Sequence, residues 1–122
     1  MLRPDRLRAL LDRHGEFTVD PRSGTAMDHG VSVCTEPHLS LHLLGWDSAT
    51  VACWLGHQSD AYLRPGCYVG GWSDPATEDV WIDVVRLLPV TWLHAALDAA
   101  NRHGQRGVFD LCHGRLVLVR AS

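Results

Sequence analysis

Two apolar runs rich in β-branched and aromatic residues, CYVGGW from Cys67 and VWIDVVRLL from Val80, flank the polar stretch SDPATED. This pattern reads as a β-hairpin with a long polar loop, and it commits the second half of the chain to antiparallel pairing. Pro89 closes the second run, because proline has no amide hydrogen to give to a ladder. Another hairpin follows, in which VFDLC and RLVLV flank the tight turn at His113-Gly114.

Helical spacing marks three other stretches. Residues 3–14 place Leu7, Leu10 and Leu11 on one stripe, with Pro4 at the first helical position and Gly15 as the stop. Asp47 or Ser48 can cap a helix that carries Val51, Trp54, Leu55 and Tyr62 on one face and ends at Arg64-Pro65-Gly66. Thr91 can cap a third, carrying Leu93, Ala96, Leu97 and Ala100, with Gly104 as its left-handed C-terminal residue.

Between the first two helices, short extended pieces near Phe17–Val19 and Val31–Cys34 surround the turn Asp20-Pro21-Arg22-Ser23-Gly24. The order HLSLHLL from His38 alternates polar with apolar, the period of a half-buried strand with His38 and His42 on its wet face. The element order α-β-β-β-α-β-β-α-β-β is not the alternation of a doubly wound sheet. It predicts an α+β fold, one domain over residues 1–122, with a largely antiparallel sheet covered by two or three helices. A chain of 122 residues with 46% hydrophobic and 20% charged residues can build such a core without obligatory disulfides or metal.

Eleven Arg and no Lys stand against eleven Asp and three Glu, for a net charge of -3. That balance argues against a nucleic-acid partner; the local basic character of Arg3, Arg6, Arg8 and Arg13 reads as a solvated helix face. Protonation of all eight His would carry the charge to +5, so binding or solubility can respond to pH in the mid-sixes. The N-terminus lacks the apolar stretch of a secretory signal, and no run approaches the roughly 18 apolar residues of a membrane helix. A cytoplasmic protein without membrane contact is the expectation, and Cys34, Cys53, Cys67 and Cys112 are expected as free thiols.

Candidate chemistry is sparse. Cys53 with His57 and Cys34 with His38 have ligand-like separations, but no CxxC, HxxxH or HExxH is present, and neither a metal nor a cofactor is inferred. Cys112 and His113 adjoin on a strand and so point to opposite faces, while Cys67 follows a Pro-Gly turn without a catalytic signature around it. Gly70-Gly71 opens no helix; it marks a bulge or a close approach of backbones rather than a phosphate loop.

Asp83 and Asp110 sit within apolar runs, where a charge is costly to bury. On neighbouring strands they would form a carboxylate pair, acid beside base, with His94 or His103 nearby. Arg86 and Arg106 offer the competing role of structural ion pairs. Of the five Trp residues, Trp46 and Trp72 lie at element ends beside polar residues and are the candidates for a partner surface, together with Asp74 and Glu78 of the hairpin loop.

The strings GEFTVDPRSG, CYVGGWSDPATEDVWIDVVRLLP and AALDAANRHGQRGVFDL resemble a group of small uncharacterised actinobacterial and phage or plasmid proteins. Tyr68, Gly70, Gly71, Trp72, Asp74, Pro75, Asp83, Gln105, Phe109 and Asp110 occupy the places of that pattern. The match runs through roughly the last 60 residues, is looser over the first 35, and does not extend to residues 36–64 or to the LCHGRLVLV end. The resemblance implies a mobile-element setting and no particular catalytic residue. With it, the sequence favours an accessory or inhibitor protein of a mobile element or host system that binds a protein partner. The alternative is a small hydrolase or transferase using Asp83 and Asp110.

Overall fold

The structure is a computed structural model that describes residues 2–119. Its centre is the hairpin of β4 (Cys67–Ser73) and β5 (Val80–Leu88), paired in register from Cys67 opposite Arg86 to Ser73 opposite Val80. In the connecting loop the Asp74 amide donates to the Asp79 carbonyl at 2.9 Å and the Glu78 amide to the Asp74 carbonyl at 2.8 Å. Glu78 closes this loop at φ 64°, in the left-handed region.

At nine residues, β5 serves two neighbours along its other edge. Its first residues pair with β3 (Leu41–Leu43), and Val85–Leu88 pair with β2 (Val31–Cys34). β1 (Glu16–Val19) lies outside β4, while β6 (Gly107–Asp110) and β7 (Arg115–Leu118) extend the sheet beyond β2. The order is β1-β4-β5-β2-β6-β7, with β3 on β5; every pairing is antiparallel, and the sheet curls into a half-barrel.

The α+β class is therefore as the sequence predicts. Helix α1 (Pro4–His14) starts on Pro4 and stops at Gly15, whose φ of 75° lets its amide reach the Leu11 carbonyl at 2.8 Å. α2 (Ser48–His57) is capped by the Asp47 carboxylate, which accepts from the Ala49 and Thr50 amides. After α4 (Leu93–Arg102), Gly104 turns at φ 69°, with its amide on the Asn101 carbonyl and that of Gln105 on the Ala100 carbonyl, a Schellman ending.

Three local expectations are corrected. The helix from Asp47 does not run to Arg64; it breaks at Gln58 and restarts as the single turn α3 (Ser59–Tyr62), which aims the Tyr62 hydroxyl at the Leu55 carbonyl, 2.7 Å away. Thr91 caps nothing, because Val90–Trp92 form a 3-10 turn that feeds α4 without a side-chain cap. His38 is not on a strand: Pro37, with its fixed φ, opens a 3-10 turn over Pro37–Leu39, and pairing begins only at Leu41, leaving His42 alone on the wet face.

The helices share one face of the sheet. α1, α2 and α3 close over Phe17, Val19, Val69, Ile82 and Val84, and α4 closes over Val31, Val33 and Val108. Gly71 on β4 is required there, since a Cβ would stand 2.2 Å from the Phe17 ring. The Gly70-Gly71 pair thus marks close side-chain approach from neighbouring strands, not backbone contact. No helix among the described residues is long and apolar enough to cross a membrane.

Candidate functional site

Residues opposed across antiparallel strands send their side chains to the same face, so the register decides what the uncovered, concave face carries. Glu16 opposes Trp72, Trp72 opposes Trp81, and Trp81 opposes His42, which sets these four in one row across β1, β4, β5 and β3. The rings stack along that row: Trp72 on Trp81 with centroids 4.9 Å apart, and Trp81 on His42 at 4.6 Å and 2° between planes. His42 Nε2 lies 3.2 Å from Asp79 Oδ2, tying the end of the row to the hairpin loop.

The next row runs Thr18, Gly70, Asp83, and Ser40 flanks it beyond Asp83. Gly70 contributes no side chain, so the floor drops between Thr18 and Asp83; a Cβ at Gly70 would stand 2.9 Å from the Val85 side chain. Further along, Val85 opposes Cys34, Leu87 opposes Ser32, Ser32 opposes Phe109 and Phe109 opposes Leu116, which turns the far end of the face apolar. The rows enclose a cavity of about 720 Å³, rimmed by Pro37 and Ser40, by Asp74, Thr77 and Asp79, and by the Gly104–Arg106 segment after α4.

Burial governs the ionisable groups here. The Glu16 carboxyl, half-buried and without a hydrogen-bond or ion-pair partner among the described residues, is pushed up to about 7 by loss of water. Burial likewise raises Asp83, against the opposing pull of hydrogen bonds from Ser40, whose hydroxyl donates to Asp83 Oδ1, and from Cys34. The Cys34 thiol, 3.8 Å from Ser40 Oγ, is pushed up to about 11 by burial and by the neighbouring Asp83.

The two aspartates singled out in the sequence do not meet. Asp110 opposes Val31, one position out of phase with the Phe109 and Ser32 row, and therefore points to the opposite face from Asp83. It is fully buried, and although burial acts to raise its pKa, His113 and Arg115 hold it below the ordinary aspartate range. Its Oδ2 receives His113 Nδ1 at 2.7 Å and lies 3.7 Å from Arg115 Nε, while its Oδ1 accepts the His113 amide at 3.3 Å, so it binds the turn of the last hairpin together. Neither Arg86 nor Arg106 pairs with Asp83 or Asp110.

His94 and His103 are exposed, on and just after α4, and neither is among the residues that line the cavity with Asp83. Trp46 packs against the helix-side core with its Nε1 on Ser48 Oγ at 2.8 Å, so Trp46 and Trp72 do not share a surface. Asp74 lines the cavity rim and accepts the Ala76 amide; Glu78 is exposed at the loop turn. Cys53 and His57 are both exposed, the four cysteines are free thiols, and among the described residues no three His, Cys, Asp or Glu side chains converge as a metal site.

Glu16, Trp81, Ser40 and His42 are the site residues that sequence reasoning missed. A signal existed in the alternation of VWIDVV, where Trp81, Asp83 and Val85 share one parity and Val80, Ile82 and Val84 the other. Comparison with known proteins adds nothing to this geometry: no family model, curated protein or solved structure matches the chain.

Proposed function

We propose that this protein works by binding rather than by turnover, and that its ligand is a small molecule seated in the concave cavity. The observation that carries the reading is the one-sided cover of the sheet, which leaves a cavity of about 720 Å³ opposite the helices. That volume and a wall of stacked aromatic rings with a few inward polar groups match small-ligand sites, which span roughly 300–1,000 Å³.

Catalysis has less support. A thiol raised to about 11 holds almost no thiolate at neutral pH. Among the described residues no histidine is hydrogen-bonded to Cys34, Ser40 or Asp83 to act as a base. A protein partner of the accessory or inhibitor kind is the second reading; it is favoured by the hairpin loop, exposed over residues 75–78, whose Asp74 reaches the same rim.

The test is titration with 1-aminoanthracene, a neutral planar fluorophore, followed by dye emission and by backbone amide shifts. Saturable binding that moves the amides of Glu16–Thr18, Gly70–Trp72 and Trp81–Val85, and that weakens in a Trp72→Leu variant whose amide spectrum remains that of the folded protein, supports the reading. Absence of saturable binding, or shifts confined to the helix side, overturns it.

A further inference from the structure

We infer that the cavity takes an organic cation with an apolar tail, its head between the Glu16 carboxyl and the outer face of Trp72 and its tail on Phe109 and Leu116. The inference deepens the small-ligand reading and rests on it. Three independent observations point to this chemistry.

The first is charge. Glu16, Asp74, Asp79 and Asp83 line the cavity, and among the described residues Arg106 is the one Lys or Arg in its lining. A half-buried carboxyl without a partner among the described residues, such as Glu16, has lost water without gaining a donor or a cation from them in return. A ligand that brings a positive charge restores what burial removed, whereas an anion adds repulsion.

The second is the ring geometry. Trp81 is covered on one side by His42 and on the other by Trp72, so the indole face of this row that no other ring of the row covers is the outer face of Trp72, toward Glu16. An ammonium group over an indole face is attracted by the ring quadrupole, and a carboxylate beside the same ring supplies the counter-charge. Indole and carboxylate at opposed positions of neighbouring strands therefore form a two-part receptor for an alkylated amine.

The third is polarity along the face. Carboxyl groups gather over β1, β4 and the start of β5, whereas β6 and β7 present Phe109, Leu116 and Leu118. Leu116 and Leu118 are 40% and 63% exposed, which leaves apolar surface open to solvent at the end of the cavity away from Glu16. A ligand with a charged head and an alkyl tail satisfies both ends at once.

Isothermal titration of the full chain with octyltrimethylammonium, 1-octanol and octyl sulfate, each below its aggregation limit, tests the assignment. The cation should bind with one-to-one stoichiometry and at least tenfold more tightly than octanol, with octyl sulfate weakest. Glu16→Gln and, separately, Trp72→Leu should each weaken the cation at least fivefold while leaving octanol within twofold for Glu16→Gln. Equal binding of all three probes, or cation binding indifferent to Glu16→Gln and Trp72→Leu, overturns the cation assignment. If the cation fails while 1-aminoanthracene still binds in a Trp72-dependent way, this inference falls and the ligand site stands; if both fail, both fall.

Discussion

Replacing Glu16 by Gln should remove a pH-dependent burden from the folded state. The carboxyl titrates near 4.5 when hydrated and near 7 in the fold, with burial as the cause. An acid whose folded value is the higher one binds the extra proton when folded, so its contribution to stability is greatest below pH 4.5 and is lost as pH rises to about 7. At about 1.4 kcal/mol per pKa unit the full shift corresponds to about 3 kcal/mol. Glu16 is only half-buried, and solvent screening reduces this to about 1–2 kcal/mol. Urea unfolding followed by tryptophan emission, at several pH values from about 4 to 8, measures it. The stability of the wild type should fall relative to Glu16→Gln across the window and then run parallel to it above. Taking the difference cancels Asp83, whose raised value acts in the same direction, and Asp110, whose lowered value acts in the opposite one. Parallel curves throughout the window would refute the claim that burial, unrelieved by any partner among the described residues, governs this carboxyl.

Other outcomes follow from the packing and from the cysteines. Gly71→Ala should cost about 1–3 kcal/mol in urea unfolding, since its Cβ would enter the Phe17 ring and force core side chains off their rotamers; addition of Phe17→Leu should recover part of the loss. Alkylation by iodoacetamide at neutral pH, read by mass spectrometry, should modify exposed Cys53 and Cys112 quickly and buried Cys34 and Cys67 only on unfolding. Asp110→Asn should lower the thermal midpoint near neutral pH, and the gap to wild type should close as pH falls below the ordinary aspartate range, because the ionised form of Asp110 is the one that His113 and Arg115 stabilise. A gap that widens in acid would contradict that role.

Much of the architecture was legible because its causes are local. Asp47, Gly15 and Gly104 mark helix ends through their own side-chain or backbone chemistry, and both hairpins follow from apolar runs around turn residues. The break at Gln58 was not legible: Val51, Trp54, Leu55 and Tyr62 keep the helical period across it, and all four stay buried on either side. Glu16 was overlooked because nothing in GEFTV distinguishes a rim carboxylate from an exposed one until Trp72 lies opposite it.

The chain alone determined the α+β class, the antiparallel preference and most element boundaries, since these depend on residues within a turn or two of one another. Which strands became neighbours was decided only in three dimensions. A strand's side chains alternate between faces, so a one-position difference in register sends an aspartate to the opposite side of the sheet. That difference put Asp83 on the concave face with Trp72 and Trp81 and Asp110 on the convex one with His113. Periodicity records that faces alternate along a strand; only the pairing of distant strands determines which side chains share one.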